Sequence, residues 1–470
     1  MQIAEILHLT IAELGRAYRR RDLSPVEVVN ALLERIRIAD QHLNSFILVT
    51  AEEALNASRK AERAFLQGEV SPPLLGVPVA VKDIIDIEGH PTTCASPILR
   101  DVVAAADARV VERFRDAGAT IIGKNNMLEF AYGEVHPDYG PTPNPWDHRY
   151  SSSGSSSGSA VAVAASLAYA SLGTDTGGSI RLPAAYCGVV GHKPTYGLVS
   201  RWGVVPLAWS LDHVGPLTRT VADAALVMDA VVGYDPRDPG SANRPVPSYY
   251  ASLTTGIAGM RVALLEREVQ VSTHPEVREA VEAAARVLEG LGAHIEPYSF
   301  PGLYESIDAL MVIMQAEATA HHEAWLRTRP QDYSPPVRHR LRLGGMISAV
   351  DYLHAQRLRR ELCWRVSQVM KDVDVFVLPT AASGPTLRGH PRSQHHEHED
   401  PMAALIWRTG PFNLTGQPAL TLPCGFTDAG LPIGLQIVGR PFQDEVVFRV
   451  AYAYERATEW HKRRPPVTWA

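Results

Sequence analysis

The sequence is poor in cysteine and, less usually, in lysine. Its four cysteines, Cys94, Cys187, Cys363 and Cys424, lie far apart and form no CxxC pair. That spacing argues against a cysteine-built zinc site and against a disulfide framework, and it predicts a reducing, cytoplasmic setting. Of 45 basic residues only six are lysine, at positions 60, 82, 124, 193, 371 and 462, so a lysine closing an apolar run stands out. There is no apolar run of about 18 residues, so no membrane-spanning helix is expected. The most apolar stretch, residues 160–173, is shorter than that and holds two serines. Residues 1–20 have no basic start leading into an apolar segment, and no secretory leader is read there. A net charge of −6 gives no basic footprint, so no nucleic-acid partner is expected. What the chain does have is the composition of a globular protein, 46% hydrophobic and 20% charged over 470 residues.

Helices are expected first. Thr10 with Glu13, and Ser24 with Glu27 around Pro25, are capping-box patterns, and the part up to about residue 70 reads as helical. Strand and helix patterns then alternate. Strands are expected at 77–81, 118–123, 259–265, 294–298, 373–378, 419–422 and 433–438, with helices at 107–117 and after Thr273. Such alternation predicts an α/β fold: a large mixed, mainly parallel sheet covered by helices on both faces. No linker or repeat divides the chain, so a single domain over residues 1–470 is expected.

Residues 151–159, SSSGSSSGS, have the composition of a flexible linker, yet they sit between segments too short to be domains. A nucleophile elbow fits residues 154–158 only literally, because Pro145 and its neighbours cannot supply the preceding central strand. A third reading joins distant pieces. Gly177-Gly178-Ser179 offers unobstructed backbone N–H groups beside a serine, the material of an oxyanion hole with a nucleophile at its edge. Lys82 ends the apolar run of residues 74–82, and a lysine drawn into low dielectric loses its proton more readily. The plain alternative for Lys82 is a strand-end cation paired with Asp83 or Asp86.

Together these pieces resemble the amidase signature family. The resemblance rests on residues 173–195, GTDTGGSIRLPAAYCGVVGHKPT, on the serine–glycine loop before them, and on GVPVAVKD around Lys82. It continues through KNNMLEFAYG at 124–133, NPWD at 144–147, SLDHVGP at 210–216, FNLTGQPA at 412–419 and GLPIGLQ at 430–436, nearly the whole chain. The resemblance implies a Ser–Ser–Lys triad with Ser179 as nucleophile, Ser155 as the bridging serine on a cis peptide bond, and Lys82 as base. It also implies an oxyanion hole from Thr176, Gly177, Gly178 and Ser179, a supporting ion pair of Asp175 with Arg181, and a supporting role for Ser156. The family's GGSSGG loop departs here, with Ser153 and Ser157 in place of two glycines. No metal and no organic cofactor is called for.

Other groupings are set aside. Residues 395–400, HHEHED, read as a solvated polar loop and not a metal site; Asp212-His213 receives no catalytic role from the resemblance; His321-His322-Glu323 lacks the HExxH spacing; and Cys187 reads as core. The family that this chain resembles contains free-standing amidases and the A subunit of a glutamine-dependent tRNA amidotransferase. In that subunit's pattern an aspartate stands seven residues before the motif asparagine, here Asn413, and this chain has Ile406 at that place. An apolar residue cannot pair an ammonium. The expectation is therefore a free-standing hydrolase of a small amide or carbamate-type substrate, with the glutaminase-type subunit as the alternative. Tyr132, Trp209, Ile406 and Trp407 are the expected pocket walls, and Arg338 or Arg340 could hold a substrate carboxylate. Nothing in the chain specifies an oligomeric state.

Overall fold

A computed structural model describes residues 3–68, 72–300, 302–389 and 400–466. Eleven strands form one sheet. They are β1 (Phe46–Val49), β2 (Pro78–Lys82), β3 (Thr120–Asn125), β4 (Ala170–Asp175), β5 (Val190–Lys193), β6 (His213–Thr218), β7 (Arg261–Leu265), β8 (His294–Tyr298), β9 (Val375–Pro379), β10 (Ala419–Phe426) and β11 (Pro432–Gly439). Their order is β1-β3-β2-β4-β6-β5-β10-β11-β9-β7-β8.

The sheet is mixed, as expected, but it is not mainly parallel. Parallel pairing is confined to β3–β2–β4 on one side and β9–β7–β8 on the other. From β4 across to β9 every pairing is antiparallel. Chain length explains part of this: only residues 427–431 join β10 to β11, too few for the crossover that parallel neighbours require.

Both capping boxes form. Thr10 and Glu13 close the helix Ile11–Arg20, and Ser24 and Glu27 close Pro25–Leu43, with Pro25 in its first turn. The N-terminal part is not helical throughout, because β1 lies between Pro25–Leu43 and Ala51–Gln67 and pairs with β3 at the sheet edge.

β2 positions the site. It is wholly buried between β3 and β4, which suits its run of valine and alanine, and it carries Lys82 at its C-terminal end. β4 runs parallel to β2 and ends at Asp175, so the loops after both strands open at the same edge of the sheet. The helix Ser157–Ala164 packs against β2 and β4 and brings the serine–glycine loop to that edge.

Candidate active site

Lys82 is fully buried, and its Nζ lies 2.6 Å from Ser155 Oγ and 2.8 Å from Thr174 Oγ1. The neighbouring carboxylate does not hold it. Asp83 instead pairs with Lys124 at 2.8 Å, and both side chains are buried. Burial pushes the Lys82 ammonium down to a pKa of about 7, against the opposing pull of Asp175, Asp212 and Cys94. The site therefore holds a lysine that gives up its proton near neutrality, with two hydroxyl partners.

Ser155 follows a cis peptide bond from Gly154. Ser156 donates its backbone N–H to Ser179 O at 3.2 Å and its Oγ–H to Thr174 O at 3.2 Å, which ties the serine–glycine loop to the turn that carries Ser179. Of the two serines that replace family glycines, Ser157 opens a helix, where serine is readily accommodated, whereas Ser153 sits at φ +61°. Ser155 and Ser179 line one small cavity of about 50 Å³. Gly178 has φ +136°, and a Cβ on it would run into Thr409 Oγ1.

The Thr176–Ser179 turn differs from the expectation at one donor. The Gly178 N–H donates to Asp175 Oδ1 at 2.8 Å and is thereby occupied. A carboxylate placed immediately before a glycine turn captures that amide, as it captures Ile180 N–H at 3.1 Å. Thr176 is held from another side, donating its Oγ1–H to Asp212 Oδ1 at 2.6 Å. Asp212 also accepts from the backbone of Leu207 and Ala208. Burial raises its carboxyl to a pKa of about 6 despite the bond from Thr176, those amides and Arg201. Asp212 thus braces the turn, and His213 turns its Nδ1 to Leu211 O at 2.7 Å.

Beneath the turn, Asp175 and Arg181 form an ion pair at 2.8 Å with both side chains wholly buried. Burial alone would raise the Asp175 carboxyl, but the Arg181 guanidinium beside it, with Lys193 and Asn413, holds it well below the usual carboxylate range. Arg181 spends its remaining donors on Asn413 Oδ1 at 2.7 Å, Gln436 Oε1 at 2.7 Å and Thr409 O at 2.9 Å. Asn413 returns its amide to Asp175 Oδ1 at 2.9 Å. The asparagine of FNLTGQPA and the glutamine of GLPIGLQ are therefore the far ends of one polar network.

The expected pocket walls divide. Tyr132 and Ile406 line the cavity that holds Ser155 and Ser179. Trp209 does not. It is 48% exposed and borders an adjoining cavity of about 490 Å³ that shares the Thr176 and Leu207 walls, together with Tyr196, Arg201 and His213. Trp407 is buried away from the cavity, edge-on to Tyr304 at 5.1 Å and beneath the Arg408 guanidinium at 3.9 Å. It neighbours Ile406 in sequence, but one residue's step around a helical turn is about 100°, enough to send it elsewhere. Leu128, Leu182, Leu207, Met314, Met402 and Leu405 complete an apolar lining that residue type alone did not single out. Of the two arginines considered for a substrate carboxylate, Arg340 donates to Tyr132 O at 2.9 Å, beside the cavity, whereas Arg338 points to Pro330 O at 3.2 Å. The Tyr132 hydroxyl has no hydrogen-bond partner among the described residues; burial raises its pKa, Arg340 acts against that and Asp400 adds to it.

No group of three or more His, Cys, Asp or Glu side chains able to hold a metal exists among the described residues. Most of the histidine-rich loop, residues 395–399, lies outside them; Asp400 caps the helix Pro401–Ile406. Among the described residues no helix is long and apolar enough to cross a membrane.

The family model described as Amidase matches residues 27–448. The A subunit of glutamyl-tRNA(Gln) amidotransferase from Geobacter sp. (strain M21) is 41% identical, the match covering 98% of this chain and 100% of that one. Among solved structures, one reported as a vestigial protein complex that reveals the origins of an s-triazine catabolic enzyme is 35% identical over 95% of this chain and 98% of its own, with a TM-score of 0.91. A bacterial aryl acylamidase of the amidase signature family is 28% identical over 97% and 98%, with a TM-score of 0.87. These relatives overturn the expectation that no nucleic-acid partner is involved, since the Geobacter protein is one subunit of an enzyme named for a tRNA. Net charge describes a chain's own surface, and in an assembly another subunit can carry the nucleic acid.

Proposed function

This chain belongs to the Amidase family and is a hydrolase of amide carbon–nitrogen bonds, and from that premise we propose that it is the glutaminase-type A subunit of an amidotransferase assembly. The observation that carries the catalytic part is the 2.6 Å approach of Lys82 Nζ to Ser155 Oγ, beside a cavity that Ser179 also lines. Neutral Lys82 takes the proton of Ser155 as Ser155 takes that of Ser179. The Ser179 oxygen then attacks the amide carbon. The backbone N–H groups of Thr176, Gly177 and Ser179 hold the oxyanion. The carbon–nitrogen bond breaks as Ser155 returns a proton to the leaving nitrogen, and water hydrolyses the acyl-enzyme. Arg340, beside Tyr132, receives the substrate carboxylate. The wide cysteine spacing supports a reducing, cytoplasmic setting.

End-to-end similarity to A subunits supports the assembly. One observation favours a second reading, a free-standing hydrolase of a less polar amide: Ile406 faces the cavity with no charge to offer an ammonium. The test measures ammonia release from glutamine, and cleavage of a neutral anilide, by the chain alone and with the remaining subunits of a glutamyl-tRNA(Gln) amidotransferase. The first reading expects glutamine turnover that rises when the partners are added. If the chain alone prefers the anilide and the partners change nothing, the free-standing reading replaces it.

A further inference from the structure

Away from the site, the helix Ala349–Val369 has one face packed and one face bare. Ala355, Leu362 and Val366 are buried on its inner side. On the outside Val350 is 59%, Leu353 60% and Trp364 63% exposed, and Met346, in the preceding turn, is 81% exposed. Single exposed apolar residues are ordinary, but these four are not scattered. Within the helix, positions 350, 353, 357, 360 and 364 follow alternating steps of three and four, the interval of a helix–helix seam, with Arg357 and Arg360 in its middle. Neither arginine, nor the exposed Arg342 nearby, has an ion-pair partner among the described residues, while Glu361 is already tied to Arg365. The seam is thus apolar at its ends and cationic at its centre.

We propose that this face docks an amphipathic helix of a partner protein whose apolar side carries carboxylates opposite Arg357 and Arg360. The inference rests on the reading above that the chain works within an assembly. Charge selects the occupant. A second copy of this chain, paired antiparallel about a two-fold axis at the seam centre, would set Arg357 and Arg360 against the same residues of its mate. A membrane surface takes basic residues from the polar face of a helix, whereas these arginines interrupt the apolar stripe itself. An acidic, amphipathic partner satisfies both the apolar ends and the cationic centre.

The probe is a pair of synthetic helical peptides with leucine at the same interval, one carrying glutamate and the other lysine at the positions facing Arg357 and Arg360. Binding to the full chain is read by fluorescence anisotropy. The glutamate peptide is expected to bind at least about ten-fold more tightly than the lysine peptide. Leu353→Glu is expected to abolish that binding, and the double change Arg357→Glu with Arg360→Glu to invert the preference. The inversion keeps the test decisive even if Leu353→Glu disturbs the helix. Equal binding of the two peptides, or no binding of either, overturns the proposal. So does a dimer seen by light scattering that Leu353→Glu breaks, or tighter uptake by phosphatidylglycerol vesicles than by the glutamate peptide. Amide turnover does not enter this measurement, so its failure is distinct from failure of the glutamine test.

Discussion

Asp83 forms its ion pair with Lys124, at 2.8 Å, and not with Lys82, its neighbour in the chain. Successive residues at a strand end point to opposite sides, so the carboxylate best placed in sequence to neutralise Lys82 is turned away from it. Lys82 is left with the hydroxyls of Ser155 and Thr174. A buried ammonium with only neutral contacts is costly, and the neutral amine becomes the favoured form at modest pH.

The first prediction is a pH profile. Below its pKa of about 7, Lys82 is an ammonium and cannot accept a proton. kcat/KM should therefore rise as pH increases through about 7 and then level off. Lys82→Arg keeps the charge at every pH and should lower kcat by about a thousand-fold or more. A flat profile between pH 5 and 9, or an active arginine variant, would show the lysine to be a structural cation.

Ser179→Ala should reduce turnover by about a thousand-fold or more with the circular-dichroism spectrum unchanged, and Ser155→Ala should do nearly the same. The double variant should be little worse than either single one, because the residues act as a unit. Additive losses would separate their roles.

Breaking the pair beneath the turn is a stability experiment. Arg181→Ala strands Asp175 in a fully buried site and should cost about 3–5 kcal/mol, measured as a lower urea midpoint. Asp175→Asn keeps the shape and removes the charge, but leaves Arg181 uncompensated, so it too should destabilise. Wild-type stability in Arg181→Ala would mean that the network is dispensable.

Ile406→Asp tests substrate choice. A carboxylate at this cavity wall should raise kcat/KM for glutamine relative to a neutral anilide by about ten-fold or more, the worth of a hydrogen bond to a charged group. If the ratio does not move, position 406 does not meet the substrate's ammonium.

Much of the fold and of the site is legible in the chain, and the gaps have physical reasons. β2 announces itself through branched apolar residues ending in a scarce lysine. β4, with the sequence ASLGTD, does not, because it is built small: a Cβ on Gly173 would collide with Ser156 Oγ. Strands squeezed between close layers lose the side chains that betray them. Lys124 stands next to last in β3, and its rarity is a signal for the buried pair with Asp83 that the motif reading passes over. The two tryptophans depart from expectation for another reason. Residue type says that Trp209 and Trp407 are large and apolar, but only the path of the backbone says which cavity or core each one enters. The reach of Arg181 to Asn413 and Gln436 likewise has no local signature, being a matter of tertiary folding alone.

That reach sets a timetable for the newborn polypeptide. The arginine beneath the Ser179 turn is made early on the ribosome, whereas two of its anchors, Asn413 and Gln436, emerge more than two hundred residues later. Until they dock, Arg181 and Asp175 share a half-finished polar interior that favours water over burial. The chain is consequently expected to stay mute during its own synthesis, and a fragment released before residue 436 to lack hydrolytic power.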